Sequence, residues 1–289
     1  PPDTQREIAR VLGILDDKIE LNRRMSETLE AMARAIFQSW FVDFDPVRAK
    51  ASGEPIDSIC CRLGLTPELL ALFPDSFEDS ELGEIPKGWD TKYFSEAITI
   101  NPSRTLKKGV LAPYLDMANM PTASARAHEI VGRAFGSGMK FKNGDTLVAR
   151  ITPCLENGKT CFVDFLEDEQ VGWGSTEYIV LRPNLPLPPE YGYFLARTEK
   201  FRDHAIANMT GTSGRQRVPA SAFNDVRMVI PGVEVAKAFG AFVRGTMESM
   251  RSRDAESQTL IAMRDSLLPK LLAGELNRIV EIGQVEVVT

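Results

Sequence analysis

Residues 1–41 read PPDTQREIARVLGILDDKIELNRRMSETLEAMARAIFQSWF, and their spacing decides the architecture. Alternating steps of four and three pick out Ile8, Leu12, Leu15, Ile19, Asn22, Ser26, Leu29, Ala33, Ile36 and Trp40. This is a coiled-coil seam, apolar at both ends with a polar break at Asn22 and Ser26. Shifted by 231 residues, the same register gives Phe239, Val243, Thr246, Met250, Arg253, Ser257, Leu260, Arg264, Leu267 and Leu271. The polar break recurs at Arg253 and Ser257, and Leu29-x-x-Met32 is matched by Leu260-x-x-Met263. Both segments open at proline, Pro1-Pro2 and Pro231, which costs no hydrogen bond in a helix's first turn.

Two long helices that share a seam most simply pack on each other, although two unrelated amphipathic helices would each show the same period. Forty residues rising about 1.5 Å each make a rod of roughly 60 Å. The expected path runs out along the first helix, builds a domain at the far end and returns along the second. The helix-pairing positions are then Leu12, Leu15, Ile19, Leu29 and Ile36 on one side. Phe239, Val243, Met250, Leu260 and Leu267 face them on the other.

The helical period breaks at Phe41-Val-Asp-Phe-Asp45-Pro46. The expected segments are a first long helix over 1–44, a connector over 45–82, a mixed α/β domain over 83–230, a second long helix over 231–273 and a tail over 274–289. Within the connector, Thr66-Pro67-Glu68 supplies a cap and an N1 proline for one short helix. Gly83-Glu-Ile-Pro86-Lys-Gly88-Trp89 reads as the turn that opens the domain. Thr146–Ile151, Thr160–Phe165 and Glu177–Leu181 have strand composition, and Tyr191–Ala205 has helical spacing, with Arg197 and Phe201 among its repeats.

Composition is that of an ordinary globular chain: 289 residues, 43% hydrophobic and 26% charged. No apolar run approaches the roughly twenty residues of a membrane span, and no signal peptide opens the sequence, so the expected location is cytoplasmic. Cys60, Cys61, Cys154 and Cys161 lack CxxC spacing and nearby histidines, which favours reduced thiols over zinc or disulfides. The net charge of −6 is uneven. Residues 83–230 carry 18 Lys+Arg against 16 Asp+Glu, whereas the remainder carries 16 against 24. The middle is therefore free to present a basic face.

Catalytic motifs are missing. There is no GxxxxGK[ST] loop and no HExxH, and Gly172-Trp-Gly174-Ser175 is not a GxSxG elbow. Asn101-Pro102-Ser103 and Ala112-Pro113-Tyr114 fall short of the N/D-P-P-Y/F turn of adenine methyltransferases. Scattered carboxylates such as Asp145, Glu156 and Asp164 could in principle build a nuclease, but most domains of this size carry as many. No metal site is expected.

Three polar, partly basic stretches remain. Asn101–Gly109 carries Arg104, Lys107 and Lys108, and Arg150–Thr160 carries Arg150 and Lys159. Asn208–Arg217 carries Thr212, Ser213, Arg215, Gln216 and Arg217 beside Gly211 and Gly214. Glycines admit a phosphate close to backbone, hydroxyls bond its oxygens, and Arg and Gln can read guanine and adenine edges bidentately. Any one such stretch is commonly a solvated loop. Three in one domain point to nucleic acid.

DDKIELNRRMSETLEAMARAIFQSWFVDFDPVRAK (16–50) resembles the central conserved region of type I restriction-modification specificity subunits. LGEIPKGW (82–89) resembles the start of their second target-recognition domain. ARITPCLENGKT (149–160) and GWGSTEYIVLRP (172–183) are similar to stretches inside those domains, and LIAMRDSLLPKLLAGEL (260–276) to their distal conserved helix. The resemblance implies an α+β fold, one globular mixed α/β target-recognition domain on an antiparallel pair of long coiled-coil helices. It implies a non-catalytic subunit that reads half of a bipartite site on double-stranded DNA. The implied partners are an adenine methyltransferase (modification) subunit docked on the coil and a restriction/translocase subunit. S-adenosylmethionine, ATP and Mg are implied for those partners, with no cofactor in this chain.

The sequence departs from the family pattern in carrying one target-recognition domain rather than two. Either an upstream half is missing from this stretch, or two copies associate through their helices and read a symmetric site. The polar break would then set register or meet the modification subunit. A coiled-coil scaffold that binds only protein is the alternative.

Overall fold

A computed structural model describes residues 2–272 apart from 128 and 213; the expected tail 274–289 lies outside the described residues. In chain order, α1 (Pro2–Phe41) is followed by α2 (Asp45–Ala51), α3 (Ile56–Leu63) and α4 (Pro67–Leu70). Next come β1 (Phe77–Ser80), β2 (Gly83–Pro86), β3 (Asp90–Tyr93), α5 (Phe94–Ala97), β4 (Ile98–Ile100) and β5 (Leu111–Leu115). Strands β6 (Val131–Ala134), β7 (Met139–Phe141), β8 (Thr146–Ala149), β9 (Thr160–Phe162), β10 (Gly172–Gly174) and β11 (Tyr178–Pro183) complete the middle. The chain ends with α6 (Tyr191–Ala196), α7 (Glu199–Ala207), a 3-10 turn (Ala220–Phe223), β12 (Arg227–Ile230) and α8 (Val233–Leu272). No helix among the described residues is long and apolar enough to cross a membrane.

The chain forms two compact units, one of residues up to Ala31 with those from Gly245 on, the other Met32–Arg244. In the first, the two helices run antiparallel. Asp16 pairs with Arg264 at 2.9 Å, and Asn22 reaches Glu256 and Ser257 at 2.8 and 3.3 Å, so one number rises as the other falls. Leu12, Leu15, Ile19 and Leu29 are half-buried, as are Leu260 and Leu267, and Met250 is buried. Asn22 is more enclosed than the half-buried leucines and Ile19, at 2% exposure. Its amide donates to the Glu256 carboxylate, and this bond, reinforced by Lys18, holds that carboxyl below its ordinary range. A buried amide with a partner across the helix pair favours one register over its slipped alternatives.

In the second unit, α1 ends where the hydrophobic period breaks. Phe44 adopts a left-handed backbone (φ 58°), unusual for a bulky residue, while its ring is wedged against Phe77 and Trp89. The connector expected to hold one short helix holds three and a strand; Thr66 caps α4 by accepting from the Leu69 N–H. The last turns of α1 and the first of α8 meet in a cluster of rings. Phe37 lies 4.8 Å from Tyr191 and 5.7 Å from Phe239, Phe41 5.0 Å from Phe239, and Trp40 5.0 Å from Phe73. Ile36 is half-buried there, and Phe239 and Val243 are buried.

Two four-stranded sheets, ordered β4-β11-β8-β9 and β6-β5-β10-β7, form the core; β1-β2 and β12-β3 are separate pairs. Strand β8 is buried at all four positions, because α6 covers one side and the second sheet the other. The sheets are tied by Tyr178, whose hydroxyl donates to the Leu115 carbonyl at 3.1 Å. Strand β10 (Gly172-Trp-Gly174) passes so close that a Cβ at Gly172 would lie 2.4 Å from Phe141, and one at Gly174 2.5 Å from Tyr178. The glycines are thus required by sheet packing.

Several boundaries differ from the sequence reading. The first two predicted strands end at Ala149 and Phe162, and the third runs Tyr178–Pro183. The helix expected over Tyr191–Ala205 is two helices, because Thr198 caps a new one by accepting from the Phe201 N–H.

Asp145 is buried at the start of β8. It accepts from Lys142 N–H at 2.8 Å and from the guanidinium groups of Arg104 and Arg182 at 3.2 and 3.1 Å. Burial pushes its carboxyl above the usual range, against the pull of that N–H and the two cations. Asp145→Ala is expected to destabilise the domain by roughly 3 kcal/mol, since it strands two partly covered cations. Asp145→Asn, which keeps an acceptor for Lys142, should cost less; urea unfolding of both variants checks the ranking.

Candidate nucleic-acid interface

The three basic stretches do not behave alike. Asn101–Gly109 leaves β4 and is anchored on the β6–β7 side: Gly109 N–H donates to Phe135 O at 2.8 Å, and Lys140 Nζ to Arg104 O at 3.1 Å. Arg104 is spent on Asp145, whereas Lys107 and Lys108 are exposed at the turn.

The other two stretches are stitched together. Residues 210–217 form a small hairpin, with Thr210 N–H donating to Arg217 O at 2.9 Å and Arg217 N–H returning to Thr210 O at 2.8 Å. Its outer limb pairs with the chain leaving β8: Thr152 N–H donates to Gln216 O at 3.0 Å, Val218 N–H to Arg150 O at 2.9 Å, and Ile151 bridges to Arg217. The strand predicted to run through Ile151 becomes this bridge.

At the hairpin tip, Arg215 N–H donates to Thr212 O at 3.0 Å, closing a turn. Gly211 has φ +123°, and a Cβ there would sit 3.1 Å from the Arg215 carbonyl. Only glycine closes the turn at that distance without strain. Thr212 and Arg215 are exposed and Gln216 is half-buried; Ser213 lies outside the described residues.

Arg217, expected to read bases, is committed elsewhere. Its Nε donates to both Glu177 carboxylate oxygens at 2.9 Å, and its Nη2 lies 2.8 Å from one of them. The Glu177 hydrogen bond and charge raise its pKa further. It braces the hairpin against the turn before β11. Lys159 is likewise internal, its Nζ donating to Met117 O at 2.6 Å. Arg150 is half-buried beside the bridge, with its Nε enclosed. Among the described candidates, then, Lys107, Lys108, Thr212 and Arg215 face solvent.

Sequence reasoning missed a second feature. A cavity of about 240 Å³ is lined by Arg34, Thr122, Asn157, Gly158, Arg197 and Arg202. Asn157 and Gly158 lay in a flagged stretch, and Arg197 appeared there only as one step of a helical repeat. The carboxylates weighed for a nuclease do not converge: Asp145 is buried in its ion pairs and Asp164 pairs with Arg126. Among the described residues no group of three or more His, Cys, Asp or Glu is placed to hold a metal ion. All four cysteines are free, and burial raises the Cys161 thiol well above its usual range.

No family model matches the chain. It is 27% identical to the type I restriction enzyme HindI specificity subunit of Haemophilus influenzae, over 95% of this chain and 67% of that protein. It is 30% identical to the EcoEI specificity subunit of Escherichia coli, over 69% of this chain and 36% of the relative. In fold it is similar to the crystal structure of a type I restriction-modification system S subunit from M. genitalium, with a TM-score of 0.52 at 14% identity. That match covers 93% of this chain and 60% of the other. The chain thus spans from about a third to two thirds of these proteins' lengths.

Glu177→Ala is expected to release Arg217 and loosen the hairpin. Faster hydrogen exchange at the Thr210, Arg217 and Val218 amides is the readout. Because Arg217 is partly exposed, the loss of global stability should be small.

Proposed function

We propose that this chain, a homologue of type I restriction enzyme specificity subunits, is the DNA-reading component of such a complex and performs no chemistry of its own. It reads one half of a bipartite site. S-adenosylmethionine, ATP and magnesium serve the modification and restriction subunits that it directs. The homology supports the role, and so does the braced hairpin 210–217, which carries Arg215 exposed at a glycine-built tip.

The geometry supports a division of labour. Lys107 and Lys108 are exposed cations on a separate turn, suited to phosphates, which give salt-dependent and sequence-blind affinity. Arg215, with Thr212 and Gln216 beside it, is the candidate for base edges. Arg217, Arg104 and Lys159 act behind the surface by fixing its shape.

The helical unit supports a docking role. Ile14, Leu21 and Met25 are 54%, 50% and 38% exposed. Their spacing of seven and four puts them in one stripe of α1, separate from the seam that faces α8. We assign this stripe to the methyltransferase subunit. A second copy of the chain is the other occupant consistent with it, and would supply the other half-site.

Arg215→Ala is expected to weaken binding to the preferred site by about 1–3 kcal/mol while leaving non-specific DNA nearly unaffected. An equal loss on all sequences would reassign it to a phosphate. Leu21→Asp should abolish co-purification with the cognate modification subunit while leaving the chain folded. Genome-wide adenine-methylation mapping of cells expressing the chain with that subunit tests the whole reading. A symmetric interrupted motif means paired copies, assembly without any new motif means that one recognition domain is insufficient, and failure to assemble argues against the specificity-subunit reading itself.

A further inference from the structure

The sheet ordered β6-β5-β10-β7 turns one face to the core and the other outward. Side chains at paired positions share a face, and faces alternate along each strand. Leu115, Met139 and Phe141 pack into the core. Trp173 pairs with Tyr114 and Lys140, Tyr114 with Val131, and Ala112 with Arg133, so these residues lie on the outer face. We propose that this outer face grips the sugar–phosphate backbone of duplex DNA, with Arg133 as its central contact. The proposal rests on the DNA-reading role proposed above, and Arg133 lies outside all three basic stretches of the sequence.

Arg133 is exposed, and its guanidinium lies over two rings, 4.8 Å from the centroid of Tyr114 and 5.8 Å from that of Trp173. Its backbone is pinned as well, since Trp173 Nε1 donates to the Arg133 carbonyl at 3.2 Å. Rings hold a guanidinium by its flat face and leave its N–H edge free. Among the described residues that edge forms no hydrogen bond and no ion pair. A planar fork held in place with its donors unused matches phosphate oxygens bidentately. Lys140 repeats the arrangement beside it. Its ammonium lies 5.0 Å over the Phe135 ring, which meets Trp173 edge-on at 5.4 Å, and its only hydrogen bond among the described residues is to the Arg104 carbonyl. Rings and a carbonyl orient these two cations without cancelling their charge.

Charge argues for DNA. Residues 101–115 and 130–144 contain no Asp or Glu, yet they carry Arg104, Lys107, Lys108, Arg133, Lys140 and Lys142. Asp145 takes Arg104 and Glu169 takes Lys142. Lys107, Lys108, Arg133 and Lys140 are left without a carboxylate among the described residues. Position agrees. Phe135 carries Lys140 on its ring and accepts from the Gly109 N–H at 2.8 Å, so the outer face runs into the turn of Lys107 and Lys108. A base edge engages one side chain at a time, whereas several unpaired cations side by side suit a backbone charged at every nucleotide. Glu177, which braces the hairpin carrying Arg215, follows β10 by three residues. One continuous piece of sheet therefore joins the phosphate-gripping face to the frame of the base-reading hairpin.

The test compares the full chain with Arg133→Gln, each purified with its cognate modification subunit, on short duplexes with and without the preferred motif across a range of salt concentrations. Arg133→Gln is expected to lose about threefold to tenfold in affinity on both duplexes, with the slope of log K against log salt reduced by about 0.9. Arg133→Lys, which keeps the charge, should retain the slope and separates a lost contact from lost folding. A loss confined to the motif duplex would make Arg133 a base reader and overturn the phosphate assignment. Unchanged affinity and slope, with motif binding intact, would overturn the proposal while sparing the DNA-reading role. Loss of co-purification with the modification subunit by a folded Arg133→Gln chain would make the face a protein-docking surface and overturn the proposal too. Absence of any motif-selective binding by the unmodified complex would overturn both readings.

Discussion

The rings around Phe239 are the constraint on which the rest of the globular unit depends. Phe37 and Phe41 from the end of α1, Tyr191 and Phe194 from α6, and Phe239 from the start of α8 lie within about 6.5 Å of it or of one another. Tyr191 is enclosed enough that burial alone raises its hydroxyl well above its ordinary range. Removing such a ring typically costs 3–5 kcal/mol, a large share of the margin by which a domain is folded. The cluster fixes α6, and α6 packs on β8, β9 and β11. The strand ends then set where the 150–160 loop starts, and Arg197, one residue past α6, clamps that loop through Gly158. Placement of the candidate interface is inherited from this packing, although none of the rings is in it.

What the sequence disclosed and what it hid divide along a physical line. The seam was legible because it depends on spacing within one helix, and positions four and three apart lie on one face in any α-helix. The break at Phe41–Pro46 was legible for the same local reason. The roles of the cations were not. Arg217 looked like a base reader because it follows two glycines, yet its partner Glu177 is 40 residues away; Arg104 and Asp145 are 41 apart. Whether an arginine faces water or an internal carboxylate is decided by sheet register, and composition carries no trace of it. The cavity was hidden more deeply still, since Arg34, Asn157 and Arg202 come from three distant parts of the chain.

The polar break in the seam changes meaning once its partners are known. Asn22 and Ser26 could have been a poorly packed stretch of solvated coil. Instead Asn22 is buried and bonded across the helix pair to Glu256 and Ser257. Apolar seams tolerate slippage by a heptad, because one Leu–Leu contact resembles the next. A buried amide with a dedicated carboxylate does not, because a slipped register leaves it unsatisfied at a cost of about 1–3 kcal/mol. The break therefore gives up some burial and gains a single alignment.

The same trade organises the hairpin. Its limbs are secured by backbone hydrogen bonds that any side chain could make, and by one salt bridge placed behind the surface. Its tip consists of glycines and short or polar side chains that contribute little to the core. Changes at 212, 215 and 216 should therefore leave the frame intact, whereas changes at Glu177, Arg217 or Gly211 alter the frame itself. Such a separation lets the exposed side chains vary independently of stability, with neutral backbone bonds for the scaffold. In this chain the separation runs between Arg215 and Arg217, two residues apart and alike in chemistry, distinguished only by which way the hairpin turns each one.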